Sequence, residues 1–159
     1  MSEQFSQEYI DFILSDEAKG LQRVDLSPGD WVWTGHELGI VLRPWVGFET
    51  GPLAHLTVLR LAKSGWSEES FSRTNLTKLP TLWELLQIIE GAGWDWAAER
   101  STFTLLKTGE PRVRRFMTIA NYEDDEYHRA DDDELMLAAA KLAVRAIGEK
   151  DGEQDGTNQ

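Results

Sequence analysis

The densest run of chemically capable side chains is Tyr122-Glu123-Asp124-Asp125-Glu126-Tyr127-His128-Arg129-Ala130-Asp131-Asp132-Asp133-Glu134. Clustered carboxylates have three uses. They supply the oxygen ligands that hard cations such as Ca²⁺ or Mg²⁺ take, and a divalent-metal-dependent enzyme built on Glu123–Glu134 would follow from that. The spacing is not that of an EF-hand loop, which needs Gly at its sixth position. They can also form a surface for an Arg/Lys-rich protein or imitate the charge of a nucleic acid. In the third reading Asp131 caps a following helix, Glu134 completes its capping box, the other first-turn acids suit the helix dipole, and the rest is solvated loop.

Other catalytic constellations are missing. His36, His55 and His128 lie in different segments without the spacing of a zinc site. No G-x-S-x-G elbow occurs. Lys63-Ser64-Gly65 is not a P-loop, and Gly91-Ala92-Gly93-Trp94 lacks the rest of a dinucleotide fingerprint. We expect no cofactor. The basic run Arg112-Val113-Arg114-Arg115 can meet phosphate, but on a strand Arg112 and Arg114 point opposite to Arg115, and pairing with nearby acids is the reading we adopt. Of the seven tryptophans, Trp83 is expected in the core, and Trp31/Trp33 and Trp94/Trp96 each share a strand face. Trp45, in the glycine-flanked Arg43-Pro44-Trp45-Val46-Gly47-Phe48 loop, is the best candidate for a surface contact.

The formal charge is −12, and its distribution is informative. Residues 1–30 carry seven acids and two bases, 31–80 four and five, 81–120 five and five, and 121–159 twelve and four. Both ends are acidic around a neutral middle. Such a surface repels phosphate backbones and anionic lipid, so we expect no direct nucleic-acid or membrane binding and a partner protein that is basic. The absence of cysteine excludes disulfides, a thiolate nucleophile and Cys-ligated metals. Met1-Ser2-Glu3-Gln4 lacks the basic start of a secretory signal and no apolar run is long enough to cross a bilayer, so a cytoplasmic location is expected.

The elements that must position these residues follow from periodicity. Phe5 to Lys19 reads as an amphipathic helix with Gly20 beyond its end. Ser27-Pro28-Gly29-Asp30 has type II turn chemistry. Trp31–Trp33, Leu38–Arg43, His55–Ala62 and Trp66–Arg73 are short β-rich runs that predict a small antiparallel, barrel-like sheet. Thr81-Leu82-Trp83-Glu84 is a capping box opening a helix over 82–90. Trp94–Ala98, Thr102–Lys107 and Arg112–Ala120 alternate as strands, with Thr108-Gly109-Glu110-Pro111 a hairpin turn between the last two. A helix with an Ala-rich face runs from Asp132 or Asp133 to Ile147, stopped by Gly148. The class is α+β. We divide the chain into an N-terminal helix and linker (1–24), a β-rich subdomain (25–79), an α-β-β-β-α sandwich (80–148) and a disordered tail (149–159).

Ser27-Pro28-Gly29-Asp30-Trp31-Val32, then Gly39-Ile40-Val41 and Leu56-Thr57-Val58-Leu59, resemble the opening of small SH3-like barrels, in which a Pro-Gly-Asp turn feeds the first strand. Pro80–Gly148, with its helix, tryptophan-bearing strands and Ala-rich last helix, resembles small α/β sandwich proteins of phages and prophages. That second resemblance implies a mobile-element origin. Neither pattern contains a catalytic signature. The expected function is a non-enzymatic, acidic protein-binding module that meets its partner through Trp45, Glu123, Asp124, Asp125, Glu126, Tyr127 and His128. A structural or assembly component is a further alternative.

Overall fold

The computed structural model describes residues 5–22, 25–44, 55–62, 65–132 and 134–157. The chain forms two compact units, Gln22–Pro80 and the combination of Met1–Leu21 with Thr81–Gln159.

In the first of these, Gly29 takes a positive φ of 93° and the Asp30 amide donates to the Ser27 carbonyl (3.0 Å), so Ser27–Asp30 is the expected turn. It leads into an antiparallel sheet of β1 (Trp31–Trp33), β2 (Leu38–Pro44), β3 (His55–Ala62), β4 (Gly65–Ser72) and β5 (Thr77–Lys78), ordered β4-β3-β2-β1-β5. A 3₁₀ turn, Arg73–Asn75, carries the chain from β4 to β5. The sheet does not close. Among the described residues β4 and β5 are its edges, so the barrel-like expectation gives way to an open, five-stranded sheet whose last strand has only two residues to pair with β1. Val32, Val41, Leu56, Val58 and Leu76 form its core. Lys78 is the one buried charged residue among those described, and its ammonium lies 3.4 Å from Asp30. Asp30 also accepts from the Ser27 amide, so one carboxylate holds both the turn and β5. Trp31 and Trp33 flank Val32 and are half-buried.

The second unit begins with α1 (Gln7–Leu14), capped by the Ser6 hydroxyl accepting from the Tyr9 amide. The α-helix stops earlier than its periodicity predicts. Ser15 is extended, its hydroxyl donates to the Phe12 carbonyl, and a 3₁₀ stretch, Asp16–Gln22, replaces the last turns. α2 (Leu82–Gly91) has the full capping box: Thr81 accepts from the Glu84 amide while Glu84 accepts from the Thr81 amide. Leu85, Leu86 and Ile89 are buried. Trp83 is not in the core but 63% exposed. One residue along a helix turns the side chain by about 100°, which takes Trp83 off the buried stripe and onto the face of Gln87 and Glu90.

The three strands after α2 are β6 (Asp95–Thr104), β7 (Pro111–Asn121) and β8 (Glu126–Asp131), in that order in an antiparallel sheet. Two expected strands, Trp94–Ala98 and Thr102–Lys107, are one continuous strand through Glu99-Arg100-Ser101. The third strand lies inside the acidic run, where loop was expected. α3 (Leu135–Thr157) then buries Leu137, Ala138, Ala139, Ala140, Leu142, Ala143 and Ala146. Small side chains let it pack against α2, β7 and β8. It passes through Gly148 and on to Thr157, where a disordered tail was expected. Gly148, Gly152 and Gly156 each cost about 1 kcal/mol in this helix, and the good helix formers Glu149, Lys150, Glu153 and Gln154 among them do not lower that cost. No helix among the described residues is long and apolar enough to cross a membrane.

Candidate protein-binding surface

β8 is what arranges the acidic run. Asn121 pairs with Glu126 across the β7–β8 hairpin, leaving Tyr122-Glu123-Asp124-Asp125 as a four-residue loop. The Asn121 side chain fixes this loop from within: its carbonyl accepts from the Glu123 and Asp124 amides (3.2 and 3.4 Å), and its amide donates to the Asp124 carboxylate (3.0 Å). Asp125 closes the loop with φ 54°, a left-handed conformation that Asp tolerates better than most residues. Glu123, Asp124 and Asp125 are all exposed. None makes an ion pair with a described basic residue. Beside them Tyr122 and Tyr127 are 69% and 57% exposed and meet edge to face, with ring centroids 6.3 Å apart. The loop is therefore an ordered carboxylate cluster flanked by an aromatic pair.

The remaining candidate residues are divided by the strand's alternation. Glu126 is exposed at the start of β8, and Tyr127 lies on the face opposite to His128. His128 is half-buried, across from the buried Ile119. Its ring lies 5.2 Å from that of Trp94, and Arg145 approaches its Nδ1 at 3.3 Å. His128 thus belongs to the packing between β8 and α3 rather than to the loop surface. Trp45 lies outside the described residues.

The carboxylates of Glu123–Glu134 do not converge. Glu123, Asp124 and Asp125 precede β8, whereas Asp132 and Glu134 follow it, and six extended residues separate the groups by about 20 Å. Among the described residues no three His, Asp or Glu side chains are placed to hold a metal ion. The helix-capping expectation is not met: α3 begins at Leu135, so Asp131 and Asp132 precede its N-cap position and Glu134 stands at that position rather than at the third helical residue. Asp131 ends β8 and pairs with Arg129 (2.8 Å), so it is still strand. Asp132 accepts from the Glu134 amide (3.2 Å) and pairs with Lys141 (3.0 Å). Glu134 reaches Ser6 at the start of α1, whose hydroxyl donates to it (2.5 Å). These acids hold the fold.

A shallow cleft of about 290 Å³ lies against Arg129, Asp131, Lys141 and Arg145, with Glu17 at its rim. Two of its three cations are already neutralised by Asp131 and Asp132. The Arg129 guanidinium also sits 3.9 Å above the Phe116 ring centroid. The shift that stands out lies elsewhere: burial, with Glu84 and Glu134 nearby, pushes the Tyr9 phenol far above its ordinary range. Tyr9 is wholly buried in the helical layer and open to no substrate.

Sequence reasoning missed the exposure of Trp83 and of the distal β6–β7 hairpin, where Phe103, Leu106 and Val113 stand in solvent. Comparison with protein families, with curated proteins and with solved structures finds no match to this chain.

Proposed function

We propose that the chain is a non-enzymatic protein-binding module that recognises a basic partner through the β7–β8 loop. The observation that carries this reading is the loop itself: Glu123, Asp124 and Asp125 project from a turn ordered by Asn121, without a basic partner among the described residues, next to the exposed Tyr122–Tyr127 pair. Adjacent like charges repel one another, and a cationic partner removes that repulsion. Tyrosine supplies the apolar area that a charged rim lacks, with a hydroxyl that stays hydrogen-bonded at a wet interface. Asp131, Asp132 and Glu134 are outside this surface because their carboxylates already hold Arg129, Lys141, an amide and Ser6.

In this reading 25–79 is an SH3-like subdomain, supported by the Pro28-Gly29 turn that feeds β1 and by Gly39-Ile40-Val41 in the strand paired with it. In the same reading the partner is a protein that a mobile element meets in the cytoplasm, an inference that rests on the sequence resemblance of 80–148 to phage and prophage sandwich proteins. The test is titration of an arginine-rich peptide into the full chain at low and at physiological salt. Neutralising the loop, E123Q/D124N/D125N, is expected to weaken binding by about tenfold or more. Neutralising three acids of the N-terminal segment, E8Q/D16N/E17Q, is the control for net charge. Equal weakening by both triples would mean that only total charge matters, and the reading would fail.

A further inference from the structure

β7 runs from Pro111 to Asn121, but β8 pairs only with Phe116–Asn121. Pro111–Arg115 therefore has β6 on one side and, among the described residues, no strand on the other. On that side the Arg115 carbonyl accepts from the Asp132 amide, which ends the β8 lane. Beyond it the hairpin of β6 and β7 extends as a two-stranded arm.

Charge alone would make this a protected edge, since edge strands are commonly blunted by charged side chains. Two features go further. Arg100 and Arg115 are directly opposite across the strands and share a face. Both are exposed, and neither guanidinium makes an ion pair or hydrogen bond with any described residue. Directly opposed like charges destabilise a sheet, and their Cβ atoms stand about 5 Å apart, close enough for both guanidiniums to reach one carboxylate. The arm also exposes Phe103, Leu106 and Val113, so its surface combines cations with apolar area. Residues 99–115 hold five of the sixteen basic residues and only two acids, in a chain of net charge −12. A nucleic acid would bring its phosphates into the field of that acidic remainder, whereas an acidic protein segment needs only local contact. The interleaved apolar side chains also suit a protein.

We propose that Pro111–Arg115 is a docking edge for an extended, acidic segment of a partner protein, which adds a strand in line with β8. Its main chain pairs with the open edge of β7, its carboxylates meet Arg115 and Arg100 on one face, and its apolar side chains cover Val113, while Arg112 on the other face keeps its pairing with Glu110 (3.3 Å). This surface is opposite in sign to the β7–β8 loop and lies at the other end of the same strand, so the two are independent.

The experiment uses the full chain and three fluorescent probes: a peptide of alternating Glu and Leu, its Lys–Leu counterpart, and a short single-stranded DNA. Saturable, salt-sensitive binding of the Glu–Leu peptide is expected, weakened by about tenfold or more in R100Q/R115Q and unchanged in E123Q/D124N/D125N. Slowed amide exchange within Pro111–Arg115 on binding would report the added strand. The reversal R100E/R115E should transfer the preference to the Lys–Leu peptide, and an unchanged circular dichroism spectrum and melting temperature establish that each variant folds. The proposal is overturned by absent Glu–Leu binding, by equal affinity of wild type and R100Q/R115Q, or by tighter binding of the DNA. Self-association that R100Q/R115Q abolishes would also overturn it, because the occupant would then be a second copy.

Discussion

Tyr9 ties stability to pH in a way that can be worked through. Its side chain is fully buried, and burial together with Glu84 and Glu134 holds the phenol protonated far above the usual tyrosine value of about 10. A folded-state value raised above the unfolded one means that the contribution is complete below about pH 10 and is lost as pH rises above it. In that window the unfolded chain releases a proton that the native chain retains. The loss totals about 1.4 kcal/mol by pH 11 and approaches about 1.4 kcal/mol for each further pH unit. Tyr9→Phe has no proton to release. It should give up about 1 kcal/mol at every pH for the missing hydroxyl contact, but none of this alkaline slope. Urea unfolding of both proteins between about pH 8 and pH 11 checks it: the wild-type advantage should shrink by roughly 1 kcal/mol between pH 10 and 11 and vanish or reverse there. Parallel curves would refute the reasoning, since they would require the phenol to ionise as readily in the native protein as in the unfolded one.

Further expectations concern packing and the two hairpin ends. A Cβ on Gly39 would meet a Val58 methyl at 2.5 Å and the Leu59 carbonyl oxygen at 3.3 Å, so Gly39→Ala should cost about 1–3 kcal/mol by denaturant unfolding. Val58→Ala in the same chain should recover part of that cost, giving a double mutant more stable than the sum of the singles predicts. Thr81→Ala removes the capping box of α2 and should cost about 1 kcal/mol. Asp125→Gly relieves the left-handed backbone of the β7–β8 loop and should stabilise that hairpin, read as slower exchange of its amides, while weakening the arginine-rich peptide through the lost carboxylate. Trp83→Ser should cost about 1–2 kcal/mol, well below the loss of a core tryptophan, because the ring it removes is 63% exposed.

Where sequence and structure agree, a local chemical signal was strong enough to decide. The Pro-Gly turn, the Thr81/Glu84 box and the continuous apolar stripes of β3 and α2 each specify one conformation without help from distant residues. β8 was hidden because only His128 and Ala130 face the helices, and neither raises the apolar alternation above that of a loop. The eight acids around them, from Glu123 to Glu134, imitate a solvated linker. β6 was split because Glu99-Arg100-Ser101 lies on the arm, where neither face of the strand is buried and period-two alternation has nothing to report. Trp83 was misplaced by its type, which suits a core, although its position on the helix does not. Within the candidate site the cluster was visible as composition. The division between loop carboxylates and fold-holding carboxylates was not, because it depends on contacts such as Ser6 with Glu134, 128 residues apart.

The same long-range tie has a meaning for biosynthesis. α1 leaves the ribosome well before α3 but belongs to the same unit and packs against it. Between them comes Gln22–Pro80, a contiguous unit with a core of its own, which can fold while α1 waits. Its folding draws its own ends together, since the Leu79 amide donates to the Trp31 carbonyl at 2.8 Å. That removes roughly 50 of the roughly 120 residues of loop that α1 must otherwise close to reach α3, worth about 0.5 kcal/mol. The inserted unit is thereby a folding aid for the unit that encloses it. Loosening it, as Gly39→Ala would, should slow the assembly of helices that share none of its core.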